Sequence, residues 1–276
     1  MDVFTYDSTF EGFLTVVFEC YHRKTEPIDI TKEDGFQKYL FANRLFIPTD
    51  SLKAERVWND LGKKLTARNR QMPFFVFLSE EPGVEMKIYR FIRKVFSSAF
   101  NIETDFGDGD VLKLTQLSHQ VKREAMRMLQ FVRFQRTSEG LFFCGIEPRY
   151  DVIPLTVNQF KDRYANQKWL LYDLKRDYGV LYDLKETREV VIQQKNFSNL
   201  TGEVEHCLLE EGEAFYQSLW KTYFDNINIK ERKNLKLQLQ HMPRRFWKYL
   251  PEMQAKTSPK LHNQKHQTGR DLSLLP

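Results

Sequence analysis

The chain has 276 residues and a mass of 33.1 kDa, which is enough for one large domain or two of ordinary size. Hydrophobic residues make up 41% of the sequence and charged residues 29%, and the aromatic content of 14% includes 23 phenylalanines. This composition is typical of a soluble globular protein and excludes a disordered or low-complexity chain. The cysteines Cys20, Cys144 and Cys207 lie far apart, which excludes a disulfide framework and a CxxC metal site.

The pattern of apolar residues gives no sign of a membrane protein. No stretch approaches the roughly 20 apolar residues of a membrane span. The first 20 residues contain four acids where a signal peptide would be basic and then apolar. We therefore expect a cytoplasmic protein with no membrane partner.

Basic charge is concentrated in two parts of the chain. The net charge is +5, but residues 230–276 contain eleven Lys and Arg against three acids. A second basic stretch runs from Lys113 to Arg136, where six Lys and Arg accompany Glu124 alone. Clustered positive charge suits a polyanion, because phosphate contacts dominate nucleic-acid affinity. A solvated helix face and a basic tail explain the same pattern.

Helical periodicity dominates the part from about residue 1 to 132. After a short strand at Val3 to Tyr6, Ser8 and Glu11 form a capping-box pattern, and apolar spacing continues to about Tyr21. Further helices are predicted from a cap at Asp50 or Ser51, from about 88 to 99 and over 115–132. The apolar run 74–78 fits a buried strand or a helix fragment, and we favour the helix.

Between about residues 133 and 195, aromatic and β-branched residues recur with a period near two, which indicates strands. Residues 131–136 and 141–146 are predicted to pair as a hairpin, as are 169–175 and 180–185, and a helix is expected near 157–164. Arg188 to Ile192 can supply a further strand. We predict an antiparallel sheet with a helix packed on one face.

The part from about 205 to 253 is predicted to be helical, over 215–224 and 235–249, with Pro243 starting, ending or kinking a helix. Residues 254–276 lose apolar periodicity and are expected to be a mobile, disordered tail. The fold class is therefore α+β, with a helix-rich N-terminal half, a central antiparallel sheet with its packed helix, and a helical C-terminal segment. We predict one domain over residues 1–253.

Several short motifs in the sequence weakly suggest metal or catalytic chemistry. Asp105, Asp108 and Asp110 resemble a cation loop, but the distal glutamate of a calcium site is missing. His262 and His266 have zinc-binding spacing without a third ligand nearby. We predict neither a metal site nor a cofactor, and no GxSxG, P-loop, HExxH or GxGxxG motif occurs.

The segment from Glu147 to Asp151 follows a predicted strand, where a loop can present a carboxylate, a guanidinium and a phenol to a ligand. Glu147 and Asp151 are the candidate acid and base, while Arg149 and Tyr150 are candidate contacts. Turn formation around Pro148 explains the segment almost equally well.

The densest cluster of cations and rings lies at 241–250. Arg244, Arg245 and Lys248 can engage phosphates, and Phe246 or Trp247 can stack on a base. In the alternative interpretation, Trp247 and Leu250 belong to the core and the cations extend over its rim. These residues alone do not separate the two interpretations.

Several segments in the same order resemble a bacterial family of DNA metabolism proteins. The resemblance extends to about residue 253 and is carried by Phe4-Thr5-Tyr6-Asp7-Ser8-Thr9-Phe10-Glu11-Gly12-Phe13-Leu14, Phe131-Val132-Arg133-Phe134, Ile146-Glu147-Pro148-Arg149-Tyr150-Asp151-Val152-Ile153-Pro154-Leu155, Trp169-Leu170-Leu171-Tyr172-Asp173 and Met242-Pro243-Arg244-Arg245-Phe246-Trp247-Lys248-Tyr249-Leu250.

The resemblance implies association with a radical S-adenosylmethionine protein of DNA modification or repair, and with uracil-DNA-glycosylase-like domains to which similar domains are fused. No reaction is assigned to the family domain itself. This chain lacks a cysteine triplet for an iron–sulfur cluster, so radical chemistry would belong to the partner.

The leading hypothesis is a DNA-binding accessory component of a DNA repair or modification system that acts with the radical enzyme. In it, Arg133, Arg149 and Tyr150 line the same groove as the 244–248 cluster. Two alternatives stay open. One is an enzyme acting on a damaged base or nucleotide through Glu147 and Asp151. The other is a protein-binding scaffold that makes no direct contact with DNA.

Overall fold

A computed structural model of the chain describes residues 2–33, 43–193 and 195–254. The chain divides after Glu213 into two compact units. The first contains two sheets and seven helices in its described residues, and the second contains short helical segments. The α+β class predicted from the sequence is confirmed.

The N-terminal half contains a sheet that the sequence analysis missed. Strand β1 (Asp2–Tyr6) lies between β2 (Asp29–Lys32) and β3 (Asn43–Phe46), and both pairings are parallel. β1 is buried from Val3 to Tyr6, which explains why it was recognisable as a strand. β2 and β3 have only four residues each and little apolar periodicity, so the prediction of one short strand followed by helices was incomplete.

Six helices accompany this sheet and follow the apolar spacing of the sequence. They are α1 (Phe10–His22), α2 (Ser51–Lys64), α3 (Ala67–Arg70), α4 (Met72–Phe77), α5 (Val84–Ser97) and α6 (Gly109–Phe131). Asp50 caps α2 as predicted, accepting hydrogen bonds from the backbone N–H groups of Leu52 and Lys53. Helix α1 is capped by Thr9 rather than Ser8, because Ser8 has a left-handed backbone with φ 70° and Thr9 Oγ1 accepts from Gly12 N at 2.9 Å.

The second sheet has the order β4 (Gln135–Arg136), β5 (Phe142–Ile146), β6 (Trp169–Asp173), β7 (Tyr178–Tyr182) and β8 (Thr187–Val190). The predicted β6–β7 hairpin is confirmed, but the sheet is mixed because β5 and β6 run parallel. Helix α7 (Ile153–Arg163) makes the crossover between them, which returns the chain to the same edge. The first predicted hairpin is shortened, since α6 continues to Phe131 and leaves β4 only two residues.

Beyond Glu213 the chain is helical as predicted, but in shorter pieces. Helix α8 (Glu213–Ile227) and α9 (Leu235–His241) are followed by 3-10 helices at Arg244–Tyr249 and Pro251–Met253. Pro243 precedes the first of these 3-10 helices, so its predicted helix-breaking effect is confirmed. The predicted tail of residues 254–276, with His262 and His266, lies outside the described residues apart from Gln254. None of the helices in the described ranges combines the length and apolar character needed to cross a membrane.

Candidate functional site

Three segments of the first unit meet at one edge of the second sheet. Because β5 and β6 are parallel, their last residues Ile146 and Asp173 are register partners, and the segments that follow both strands begin at the same edge. The turn after α4 joins them, since Asp151 N donates a hydrogen bond to Leu78 O at 3.0 Å. We call the side chains gathered here, which are Glu80, Asp151, Asp173, Arg176 and Tyr178, the strand-end cluster.

Arg176 is the centre of the strand-end cluster, and its side chain is only 9% exposed. Its Nε and Nη2 donate to Glu80 Oε2 at 2.9 and 2.7 Å, and its Nη1 donates to Asp173 Oδ2 at 2.8 Å. Nη2 also reaches the backbone oxygen of Arg149 at 3.2 Å. The guanidinium therefore ties all three segments together through charge-assisted hydrogen bonds.

Arg176 holds Glu80 and Asp173 in energetically unfavourable positions, one with a left-handed backbone and the other fully buried. Glu80 has a φ of 52°, a left-handed conformation that costs a residue with a Cβ on the order of 1–2 kcal/mol. Asp173 is completely buried and also accepts hydrogen bonds from the backbone N–H groups of Lys175 and Arg176. Lys32 Nζ, at the end of β2, lies 3.9 Å from Glu80 Oε1 and extends the ionic contacts to the first sheet.

Asp151 and Tyr178 form the titratable pair of the strand-end cluster. The Tyr178 hydroxyl donates a hydrogen bond to Asp151 Oδ1. Burial raises the pKa of Asp151 to about 6, although the Tyr178 hydrogen bond and the charge of Arg176 act in the opposite direction. Burial and the neighbouring carboxylate raise the pKa of Tyr178 as well. Asp151 can thus exchange a proton close to neutral pH, which is the property required of a general acid or base.

A second buried acid lies beyond the end of β1. The Tyr6 hydroxyl donates to Glu85 Oε1 at 3.2 Å, and both residues are buried. Burial raises the pKa of Glu85, while the charge of Lys32 lowers it. The described residues contain no group of three or more His, Cys, Asp or Glu placed to hold a metal ion. Asp108, from the acidic loop, instead caps α6 and pairs with Lys94.

The residues predicted at 147–151 divide into exposed and buried groups. Glu147 and Arg149 are exposed, and Arg149 Nη2 lies 4.0 Å from Glu81 Oε1. Tyr150 is 3% exposed, and its hydroxyl donates to Gln120 Oε1 at 2.8 Å. The ring of Tyr150 therefore lacks an exposed face for the nucleic-acid contact predicted for it. Of this segment, Asp151 belongs to the strand-end cluster and the backbone oxygen of Arg149 accepts a hydrogen bond from Arg176.

Arg133 is placed at the end of α6. Its Nη1 donates to the backbone oxygens of Gln130 and Val132 at 2.9 and 3.1 Å. These bonds satisfy carbonyl groups at the carboxyl end of the helix, a structural use that the sequence analysis did not foresee. The role of Arg133 in nucleic-acid binding stays a prediction.

The second unit carries the predicted cation and ring cluster on its 3-10 helix Arg244–Tyr249. Arg244, Arg245 and Lys248 are exposed, and each cation lies over a ring of the same segment, at 5.9 Å from Trp247, 4.4 Å from Phe246 and 4.8 Å from Tyr249. Phe246 is 2% exposed, which leaves the half-buried Trp247 as the ring for a base. The groove shared by the two units stays a prediction.

Sequence reasoning missed Glu80, Asp173, Arg176 and Tyr178. Asp173, Arg176 and Tyr178 lie in or beside the charged turn between β6 and β7, a local signal that predicts a hairpin as readily as a site. Glu80 lies 96 residues from Arg176 in the sequence, so no local pattern connects them.

The comparisons with known proteins identify the family of the chain. A model of the family described as Domain of unknown function (DUF4130) matches residues 82–252, which is more than half of the sequence. The chain belongs to this family. The DUF4130 match includes every residue of the strand-end cluster except Glu80, as well as the 244–248 cluster. The family description assigns no activity, and the associations with a radical enzyme and with glycosylase-like domains stay predictions.

No curated protein matches this DUF4130 chain. Among solved structures, the pGpG-specific phosphodiesterase PggH from Vibrio cholerae aligns over 83% of this chain and 100% of its own, with 11% identity and a TM-score of 0.30. A similarity at that TM-score supports no conclusion about fold or function.

Proposed function

We propose that the protein is a DNA-binding accessory component of a DNA repair or modification system, acting with a radical S-adenosylmethionine partner. The observation that carries the proposal is the exposure of Arg244, Arg245 and Lys248 on one short helix beside the half-buried ring of Trp247. On this proposal the three cations hold backbone phosphates and Trp247 stacks on a base. Such contacts give salt-sensitive binding with little sequence selectivity.

The test is a DNA titration of the wild type and of the triple variant Arg244→Ala, Arg245→Ala, Lys248→Ala at 50 and 200 mM salt. If three cations contact phosphates, raising the salt from 50 to 200 mM should weaken DNA binding by the wild type about 20-fold to 40-fold. The triple variant should lose most of that salt dependence. The matched control removes three exposed cations elsewhere, Lys175, Lys185 and Arg188. Equal affinities for the two triple variants would contradict the proposed binding of DNA phosphates by Arg244, Arg245 and Lys248.

Contact with the partner enzyme is assigned to α8. Phe215, Leu219, Tyr223 and Ile227 follow one another at four-residue spacing and are between 48% and 62% exposed. Exposed apolar stripes of this kind mark protein interaction sites. A pull-down with the radical enzyme, with and without nuclease, should succeed in both conditions and fail for Leu219→Ser, Tyr223→Ser. Loss of the complex on nuclease treatment alone would show DNA bridging instead.

The second candidate function is an enzyme acting on a damaged base or nucleotide, and the pKa of Asp151 near 6 favours it. Glu147 is exposed, so Asp151 is the stronger acid or base of the two. Activity on a damaged-base oligonucleotide should fall at least about 100-fold in Asp151→Asn. Tyr178→Phe should move the acidic limb of the pH profile to higher pH, because the Tyr178 hydrogen bond lowers the pKa of Asp151. A profile that does not move would exclude Asp151 as the titrating group.

A further inference from the structure

A cavity in the first unit, separate from the strand-end cluster, has the features of a ligand site. It has a volume of about 570 Å³ and lies among α1, α2 and α5. Pockets for small molecules commonly have volumes of about 300–1,000 Å³, with mostly apolar walls and a few polar groups. None of the residues discussed above as candidates for function lines this cavity.

Aromatic rings form one part of the cavity wall. Phe18 and His22 are one helical turn apart on α1, with ring centroids 6.0 Å apart and planes inclined by 19°. Tyr21 meets Phe96 of α5 edge to face at 5.8 Å, and Tyr21 is 44% exposed. Tyr21 and His22 are exposed, while Phe18 and Phe96 are half-buried. Flat rings beside a cavity provide surfaces on which a planar ligand can stack.

Positively charged side chains form another part of the cavity wall. The cavity is lined by Arg56, Lys63 and Lys64 against Asp60 as the only carboxylate of its lining residues. Lys63 pairs with Asp60 at 2.8 Å, and Lys64 donates to backbone oxygens at the end of α5.

Arg56 remains available for a ligand. Its guanidinium carbon lies 5.8 Å from the centroid of the Phe18 ring, and within the described ranges of the chain Arg56 forms no salt bridge. A guanidinium binds a phosphate through two parallel hydrogen bonds, and the excess of cations over Asp60 favours an anion.

The geometry points to a nucleotide-binding site here, in which the base stacks on the rings of α1 and the phosphate binds Arg56 with support from Lys63. The ligand must carry both a flat ring and an anionic group, because the cavity presents stacking surfaces and a guanidinium side by side. The site uses none of the residues assigned to the DNA grip or to the partner contact. The nucleotide site can therefore be tested independently of the proposed function.

Calorimetric titration of the full chain with dAMP, deoxyadenosine and inorganic phosphate tests both halves of the site. We expect dAMP to bind at least about tenfold more tightly than either fragment, since it alone satisfies the rings and the guanidinium. Arg56→Gln and Tyr21→Ala should each weaken dAMP binding about tenfold or more. Arg188→Gln, at an exposed arginine on β8 outside the cavity, should leave it unchanged.

A second arm uses a short single-stranded oligonucleotide to find the source of the nucleotide. Binding of dAMP that Arg56→Gln weakens supports a free nucleotide. Binding of the oligonucleotide alone, again weakened by Arg56→Gln but unaffected by the Arg244, Arg245 and Lys248 replacements, supports a nucleotide within a strand. Binding of neither, or binding that both cavity variants leave unchanged, would overturn the inference. Circular dichroism confirms that the variants are folded, which is expected because Arg56 and Tyr21 are exposed.

Discussion

Asp151 shows how burial changes the chemistry of a single carboxyl group. Its pKa rises from an ordinary value near 3.8 to about 6, because the loss of hydration outweighs the hydrogen bond from Tyr178 and the charge of Arg176. The folded chain therefore holds this proton more tightly than the unfolded chain does. The resulting stabilisation is complete below about pH 4 and is lost as the pH rises through 6.

Asp151→Asn should remove this pH dependence. Over the whole titration the loss of stability amounts to about 3 kcal/mol for a pKa change of this size, most of it between pH 4 and 6, and the variant should be more stable than the wild type at pH 8 by up to that amount. Urea unfolding at pH 4, 5, 6 and 8 measures the free energy of unfolding of the wild type and the variant. Asp162→Asn, at an exposed carboxylate on α7, serves as the control. A variant less stable than the wild type at pH 8 would contradict the assigned cause.

Arg176→Met should be strongly destabilising. The substitution leaves Asp173 fully buried without its cation, and it leaves Glu80 with its longer 3.9 Å contact to Lys32. Breaking a buried ion pair in this way costs about 3–5 kcal/mol, since an uncompensated charge remains in the interior. Chemical denaturation compares the variant with Arg188→Met, at an exposed arginine. A difference of less than about 1 kcal/mol between the two would show that water already reaches Asp173.

At the level of strands, the backbone of β5 is approached closely by the backbone of a later loop. A Cβ on Gly145 would lie 2.7 Å from Gly202 Cα, and Gly202 itself has a φ of 70°. The loop 198–202 thus lies directly against β5, where neither partner has room for a side chain. The loop 198–202 therefore covers part of one face of the second sheet, the sheet that also contains Asp173.

Gly145→Ala should therefore destabilise the protein by about 1–3 kcal/mol, the usual cost of overpacking. The control is Gly109→Ala at the start of α6, where a Cβ would meet nothing within 4 Å and should be neutral or slightly stabilising. Thermal unfolding followed by circular dichroism gives both values. Equal melting temperatures would mean that the 198–202 loop moves away without cost.

Across the whole chain, the hydrophobic core is concentrated in the first unit. Among the described residues, the buried hydrophobic side chains lie at or before Tyr182, with the exceptions of Phe246 and Leu250. The largest of them are aromatic, including Trp169, Tyr172, Phe13 and Phe91. A core of this kind supplies most of the free energy of folding, because burial of apolar surface is its main favourable contribution.

A chain shortened to residues 1–213 should accordingly fold by itself. We expect a single cooperative urea transition together with loss of the DNA affinity assigned to the second unit. Far-UV circular dichroism and the DNA titration at 50 mM salt measure the two properties. A gradual, non-cooperative transition would show that the residues beyond Glu213 are required for the first unit to fold.

Local patterns in the sequence were enough to predict much of the secondary structure. Apolar spacing located α1, α2 and α6, the turn around Asp177 predicted the β6–β7 hairpin, and Pro243 separated two helical pieces. Each of these features depends on neighbours within a few residues, which is why periodicity, caps and breakers report them. The same reasoning predicts functional roles for Arg149 and Asp151, since a charged loop after a strand is a local signal, and those roles stay predictions.

The parallel pairing of β5 with β6, the parallel sheet of β1 to β3 and the contact of Arg176 with Glu80 became known only from the folded chain. A strand's sequence shows that it is extended but not which strand lies beside it, because pairing depends on long-range packing. The pKa of Asp151 also depends on long-range packing. Its value is set by burial and by side chains from distant segments, which no pattern within the segment 147–151 contains.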